Sequence, residues 1–353
     1  MRPTVSVLID TYNHERFIEQ AIASVLEQDA LEPGDEIVVV DDGSTDRTAE
    51  IVRRFVPRIR FIEKSNGGQA SAFNAGLPRL RGEIIAMLDG DDWWARDKLR
   101  RVLETFQQNP DVGIVGHGNA NVDANGAILS HLVPDRTYRL DLRTLESARL
   151  FDELKCFLGT SKVAYRRSVL ERIFPVPEEL IFEADEYLWT VGAALADIMV
   201  LDQELFYYRH HDSNFFMSAV ASDAEARRRY QVMACLWREL PPRMAALGVA
   251  PDVIVAALAS LRLDTESLRL RVDGGWPWET FALERAIARR SYRRMSFGYR
   301  AFKAFSLALT LLLPPKTYLR LKRWYGARGL RRYRGVLGEP TPRAQTVERK
   351  VVT

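Results

Sequence analysis

The chain has 353 residues, 47% hydrophobic and 27% charged, with a net charge of +3. That balance is globular, and the length allows a full core and more than one region. Two widely separated cysteines, Cys156 and Cys235, give neither a metal-ligand spacing nor a disulfide framework. A reducing compartment is expected. Met1 to Val7 runs straight into strand-like sequence without the pattern of a secretory signal, so a cytoplasmic location is expected. The charge is unevenly distributed. Arg285 to Gly338 holds fifteen Lys and Arg and no Asp or Glu. With +3 overall and +1 from Glu339 to Thr353, residues 1–284 carry −13.

In chain order, Val5, Val7 and Ile9 begin a strand. Phe17, Ile18, Ala21, Ile22, Val25 and Leu26 recur at helical spacing. Glu36 to Val40 is a β-branched run suited to a strand buried on both faces. Asp46 to Phe55 reads as a helix capped by Ser44 or Thr45. Arg60 to Ile62 is a third strand, Gln69 to Leu80 a helix, Ile84 to Leu88 a fourth strand, Asp97 to Gln107 a helix, and Val112 to Val115 a fifth strand. This alternation predicts an α/β doubly wound, mostly parallel sheet with helices on both faces. Arg143 to Arg209 is mixed, with short strands at Lys162 to Tyr165 and Leu205 to Tyr208. From Ser222 the pattern is almost all helical.

Three strands end in polar clusters: Asp10-Thr11-Tyr12-Asn13, Asp41-Asp42-Gly43-Ser44 and Asp89-Gly90-Asp91-Asp92. Ligands of open α/β sheets bind outside the carboxyl ends of the strands, so all three belong on one edge. Any one alone reads equally well as a turn and helix cap. Six carboxylates on one edge repel one another and call for a cation or a set of donors. Neither G-x-x-x-x-G-K-[ST] nor a strand-linked G-x-G-x-x-G is present, so phosphates need another grip. Asp89-Gly90-Asp91 offers hard oxygen ligands for Mg²⁺ or Mn²⁺. Without His or Cys in the cluster, zinc is disfavoured.

Thr11-Tyr12-Asn13, Asp41-Asp42-Gly43-Ser44-Thr45-Asp46, Asn66-Gly67-Gly68, Asn74-Ala75-Gly76, Arg81-Gly82-Glu83 and Leu88-Asp89-Gly90-Asp91-Asp92 occur in this order. From Val5 to Leu99 the chain thereby resembles the family 2 glycosyltransferases of the GT-A fold, and more weakly to about His211. The resemblance implies a nucleotide-sugar donor, with Thr11, Tyr12, Asn13 and Asp42 at the nucleobase, Asp89 at the ribose and Asp91 on a metal bound to the diphosphate. Asn66 and Gly68 fall in the same donor-binding stretch. Asp10 stands where many relatives have Pro, and Phe73 where they have a basic residue; Arg81 or Lys64 is then the candidate phosphate contact. In Glu183-Ala184-Asp185-Glu186-Tyr187-Leu188-Trp189, Asp185 aligns with the family's general base and Glu183 is the runner-up. These acids also suit a helix N-terminus as simple caps. In Tyr207-Tyr208-Arg209-His210-His211, the resemblance offers Arg209 or His211 to the diphosphate or the metal shell. Trp93 and Trp94 are candidates for a sugar or acceptor pocket, or for core.

The basic region interleaves aromatic residues and contains Ala304 to Pro315, an apolar run of 12. A span needs about 20 residues, so this run suits the membrane interface instead. Nucleic acid is disfavoured by the −13 body, and packing on the catalytic domain is the other account.

The expected organisation is a GT-A domain over 1–220, with a nucleotide-sugar half to about 115 and an acceptor half beyond. A helical, basic region follows over 221–338, then a polar, disordered tail over 339–353. The expected activity is inverting transfer to a sugar or lipid-linked acceptor, cytoplasmic or peripheral on the inner membrane face. A nucleotidyltransferase and a non-catalytic nucleotide-sugar-binding protein are the alternatives.

Overall fold

The structure is a computed structural model and describes residues 2–211, 222–291, 297–328 and 344–345. It divides into two compact units. One comprises residues 1–218, 238–257 and 343–353; the other comprises 219–237 and 258–342.

The first unit is built on strands β1 (Val5–Thr11), β2 (Glu36–Asp41), β3 (Arg60–Glu63) and β4 (Ile84–Asp89), all parallel, in the order β3-β2-β1-β4. The apolar runs of β1, β2 and β4 leave no polar face because helices cover both sides, while the edge strand β3 keeps Arg60 and Glu63 exposed. On one side α1 (Ile18–Leu26), α2 (Thr48–Arg53) and, further along the chain, α4 (Lys98–Gln108) meet Val7, Ile9, Val39 and Leu88 in one core. Each such fully buried aliphatic side chain contributes roughly 1.5–3 kcal/mol. On the other side α3 (Gln69–Gly76) packs so closely that a Cβ on Gly76 would lie 2.5 Å from Leu8 Cδ1 and 2.9 Å from Val40 Cγ2.

Beyond β4 the sheet becomes mixed. The two-residue β5 (Trp93–Trp94) precedes α4. The long β6 (Val112–Val122) follows it, then β7 (Ile128–Pro134), β8 (Tyr138–Leu140) and α5 (Leu145–Leu154). β9 (Ala164–Arg166) lies antiparallel between β4 and β6, so β6 is not β4's neighbour. After α6 (Arg167–Leu170) and α7 (Ala184–Ala193), β10 (Asp197–Arg209) pairs parallel with β6 and antiparallel with β5 and β8. β6 outruns the expected strand by seven residues. Gly116 and Gly118 are part of it because packing is too close for a side chain: a Cβ would meet Phe157 O at 2.7 Å and Leu132 O at 2.6 Å. The expected strand over Lys162 to Tyr165 begins later, because Thr160–Lys162 forms a 3₁₀ turn. α2 is shorter than expected. Its first turn is held by Asp46, whose Oδ1 accepts from Thr48 N at 2.9 Å, not by Ser44 or Thr45.

The sheet places the three polar clusters side by side. Asp10 is the register partner of Asp89, and Thr11 of Asp41. β1, β2 and β4 thus deliver the clusters to one carboxyl edge.

In the remaining chain, α8 (Asp223–Ala246) and α9 (Pro251–Ala257) lead to α10 (Ala259–Val272), α11 (Pro277–Ser291), α12 (Phe297–Leu312) and α13 (Pro315–Arg328). In the second unit Leu270, Leu283, Tyr318 and Leu319 are buried, with Leu263, Ile287, Leu309 and Leu313 against them. Buried Glu284 pairs with Lys303 and Lys322. Parts of the basic region (292–296 and 329–335) and all of the tail but 344–345 lie outside the described residues. Ala344–Gln345 forms a short antiparallel ladder on β7.

Candidate active site

The carboxyl edge holds two unlike groups of acids. In the first, β2 ends in Asp41, whose Oδ1 accepts from Ser44 N at 3.0 Å and Ser44 Oγ at 2.5 Å. Asp42, 4% exposed, accepts from Lys64 Nζ at 2.6 Å and from the backbone N–H of Gly67 and of Gly68, the latter at 2.6 Å. Asn66 Nδ2 donates to Asp42 O at 3.0 Å. Gly43 must be glycine, since its φ is +79° and a Cβ would lie 2.6 Å from Asn66 N. Asn13, in the left-handed region at φ +56°, receives Thr45 N on its Oδ1 at 2.8 Å and donates its own N–H to Ser44 Oγ at 2.9 Å. Tyr12 is half-buried between Thr11 and Asn13. The β1 and β2 loops are therefore tied into one wall.

The second group surrounds β4. Asp92 is 1% exposed; its Oδ1 accepts from Arg209 N at 2.9 Å and its Oδ2 from Ser161 Oγ at 2.7 Å. Ser161 Oγ also lies 3.1 Å from Asp89 Oδ2, and Ser161 O is held by the buried Lys98 Nζ at 2.7 Å. Burial keeps Lys98 well below the usual lysine range, and its Nζ sits 3.7 Å from the Trp94 ring centroid. Asp91 Oδ2 faces two imidazoles: His211 Nε2 at 3.0 Å and His14 Nε2 at 3.8 Å. Thr11 Oγ1 fixes the other side of His14, 3.2 Å from Nδ1. Gly90 makes room for this arrangement, as a Cβ there would lie 2.5 Å from Thr11 Oγ1 and 2.9 Å from His14 Nδ1.

The electrostatics follow. Burial raises Asp10, Asp89 and Asp92 well above the ordinary carboxylate value, and neighbouring carboxylates push each of them further. One Asp10 oxygen is buried with no hydrogen-bond partner among the described residues. Burial pushes Asp91 upward too, but His14 and the bond to His211 outweigh it and hold the carboxyl below its ordinary value. Burial lowers His14, favouring the neutral imidazole that ligates metals.

Asp185 enters from the first turn of α7. Its Oδ2 accepts from Thr160 N at 2.9 Å and its Oδ1 from Glu186 N at 2.9 Å. Burial raises it above the usual carboxylate value. Its partner Thr160 directly precedes Ser161, whose hydroxyl meets Asp89 and Asp92, so Asp185 lies beside the same cluster. Glu183 caps α7 at φ +56° and is 9% exposed. Gly68 packs on the α7 approach, where a Cβ would lie 2.5 Å from Ile181 Cα.

Arg209 is 3% exposed and riveted in place. Its Nε donates to Asp91 O, one terminal nitrogen to Ala124 O and the other to Gln20 Oε1, and its guanidinium lies between Phe17 and Trp93. Trp93 stacks on Tyr207, and Trp94 is core. Arg81 is not brought to this edge. It precedes β4, and its backbone N–H meets Ser6 Oγ and Glu36 Oε1 at the amino ends of β1 and β2. Lys64 is the basic side chain at the carboxyl edge, bonded to Asp42. Sequence reasoning missed His14, Ser161 and Lys98. His14 directly follows Thr11-Tyr12-Asn13, which is the one signal that marks it.

Asp91 and His211 present an oxygen and a nitrogen 3.0 Å apart. That is about the separation of adjacent ligands each about 2.1 Å from an octahedral ion. Among the described residues no three His, Cys, Asp or Glu form a metal shell. Such a site leaves most positions to phosphate oxygens and water, the usual habit of Mg²⁺ sites.

The sequence profile of glycosyl transferase family 2 matches residues 6–174, which takes in the clusters that follow β1, β2 and β4 but not Asp185, Arg209 or His211. An uncharacterised glycosyltransferase of Nostoc sp., alr2836, is 36% identical over 242 residues, 64% of this chain and 71% of the relative. The chain belongs to glycosyltransferase family 2. The transferase also matches solved structures. S. aureus TarS 1–349, determined with UDP-GlcNAc, superposes with a TM-score of 0.58 at 20% identity, covering 92% of both chains. The mannosyltransferase PcManGT of Pyrobaculum calidifontis, determined with GDP-Man and Mn²⁺, gives 0.51 at 23% identity over 93% of this chain and 88% of that one. The transferase therefore has the GT-A fold of α/β type, with a helical C-terminal region.

Proposed function

We propose that the chain transfers a sugar, with inversion, from a nucleotide-sugar to an acceptor hydroxyl, and that Asp91 and His211 hold Mn²⁺ or Mg²⁺ on the donor diphosphate. The convergence of His211 and His14 on Asp91, at the edge that also receives Asp185, carries this reading. TarS and PcManGT support a nucleotide-sugar donor, and PcManGT a divalent cation. Bound there, the cation would neutralise the charge developing on the leaving diphosphate. Thr11, Tyr12, Asn13, Asn66 and Gly68 form the wall against the nucleotide, with Asp42 bracing it and Asp89 at the ribose. Asp185 takes the acceptor's proton; its raised position brings it closer to the working pH of a general base. Arg209 positions the cluster from beneath through Asp91 O and Asp92. The acceptor is a sugar or a lipid-linked sugar, and the basic region over 285–335 holds the protein against an anionic membrane surface without nucleic acid as a partner. No helix among the described residues is long and apolar enough to cross a membrane.

The test is purified full-length protein, a panel of nucleotide-sugars, and Mn²⁺, Mg²⁺ or chelator. One donor should bind and be turned over only with metal, and the product's anomeric configuration should be opposite to the donor's. Retained configuration, or turnover unchanged by chelator, overturns the corresponding part of the reading.

A further inference from the structure

α12 is apolar on the side that faces water. Ala304, Phe305, Ala308, Leu311 and Leu312 recur at helical spacing and all are exposed, Phe305 by 64%, Leu311 by 50% and Leu312 by 77%. Its opposite side packs Leu309 on the buried cluster and also holds polar groups. Ser306 Oγ bonds Tyr318 OH at 2.8 Å, Lys303 meets Glu284, and Thr310 is fully buried. The helix is thus apolar outside as well as inside, whereas the surface helix of a soluble domain keeps its outer side polar.

A second apolar feature lies at the end of this stripe. Trp276 and Trp278 are 63% and 58% exposed and stack on each other, with centroids 4.9 Å apart and planes 7° apart. Their loop is built. Gly274 and Gly275 take positive φ, Trp276 N donates to Glu279 Oε2 at 2.6 Å, and Glu279 is anchored by Arg269 at 2.6 Å. A Cβ on Gly274 would lie 3.3 Å from Lys316 Cε, so the tryptophan loop abuts the Lys316 side chain in the first turn of α13. Two indoles and the Leu311-Leu312 end of the stripe thus share one end of the helical unit. α12 and α13 contain seven Lys or Arg and no acidic residue; Lys303 and Lys322 pair with Glu284, and the other five are Arg300, Lys316, Arg320, Arg323 and Arg328. Trp at an apolar–polar boundary, exposed leucines and surrounding cations together match the headgroup boundary of an anionic leaflet.

We propose that the 274–278 loop and the exposed face of α12 insert shallowly into an anionic bilayer, with the indoles at the headgroup level. This rests on the reading of the basic region as membrane-bound and names the groups that enter the lipid. Two terms then add: a salt-sensitive attraction of Lys and Arg, and a salt-resistant burial of apolar side chains.

The experiment uses full-length protein and vesicles of phosphatidylcholine and phosphatidylglycerol, with brominated lipid as quencher. Wild type should bind, its tryptophan emission should be quenched by bromines near the headgroup, and part of the binding should survive high salt. W276S/W278S and L311S/L312S should each weaken binding by about tenfold or more, while donor turnover in solution and Tm stay as in wild type. The indole variant should also lose most of the quenching. Wild type that ignores these vesicles at low salt sinks the membrane reading as a whole. Wild type that binds, with both variants binding as tightly and bromolipid quenching nothing, sinks the insertion alone. Concentration-dependent dimers in solution that L311S/L312S abolishes would make this face a contact between copies and overturn the proposal.

Discussion

The acids at the ends of β2 and β4 sit on one edge and have the same chemistry, yet their surroundings differ. Asp41 and Asp42 are satisfied from within the chain, by Ser44, Lys64 and the amides of Gly67 and Gly68. Their negative charge is consumed in folding two loops against each other. Asp91 faces two imidazoles, one oxygen of Asp10 has no hydrogen-bond partner among the described residues, and Asp89 has Ser161 in a setting of like charges, while Asp185 is held by the amides of Thr160 and Glu186. Asp42, ringed by donors, is scaffold; Asp91 and Asp10, left among like charges, are available to a ligand. Identical letters in a sequence hide that division, because partners decide it.

Four substitutions break or sharpen this contrast. Asp91→Asn should have the largest effect, a loss of about 10³-fold in metal-dependent turnover, the scale of removing one major electrostatic contact, with Tm little changed. Unaltered turnover at saturating Mn²⁺ would remove Asp91 from the available set. Asp185→Asn should keep donor binding and lose about 10²-fold or more in transfer. Its wild-type pH profile sharpens the point. Transfer needs the carboxylate, and burial raises its pKa, so kcat should climb with pH through a value above the ordinary carboxylate range. That limb should vanish in the variant. If Glu183→Gln is the inactive variant instead, the base is Glu183.

Asp42→Asn should act through stability. It leaves Lys64 and two amides facing a neutral partner, at a cost of about 2 kcal/mol, read from the urea midpoint. An equal loss of turnover to Asp91→Asn with no loss of stability would erase the distinction between the two groups. Ser44→Ala should have the smallest effect, about 1 kcal/mol, from the bond to Asp41 and the acceptor for Asn13 N.

What could be read in advance follows the range of the interaction. The β-branched runs of β1, β2 and β4 are local, so the parallel sheet and the shared edge of Asp10, Asp41 and Asp89 were legible from pattern. The strand ends told where chemistry belongs, and the wish to find a phosphate contact put Arg81 there, although it lies before β4 instead of after it. The strand that became β9 was legible at Lys162 to Tyr165, but its antiparallel insertion between β4 and β6 was not, because the sheet decides that. Ser161 meets Asp89 across 72 residues and is itself held by Lys98 across 63, and no spacing encodes that. His14 is a lone histidine in a loop, given meaning only by Asp91 opposite it. Arg209 was expected to reach for phosphate; its fork is instead filled by Asp91 O, Ala124 O and Gln20.

The rivet made by Arg209 also sets a timetable for the nascent chain. Its bonds reach back 117 residues to Asp92 and 189 to Gln20, and His211 reaches back 120 to Asp91. At about 5–20 residues per second, the ribosome must work for about 6–24 s after Asp91 leaves the peptidyl-transferase centre before His211, the nearer of its two imidazole partners, exists. Through that interval the parallel strands can pair while their acids stand uncovered. Translation speed, as much as sequence, therefore governs how long the half-built edge meets the cell's divalent ions and chaperones.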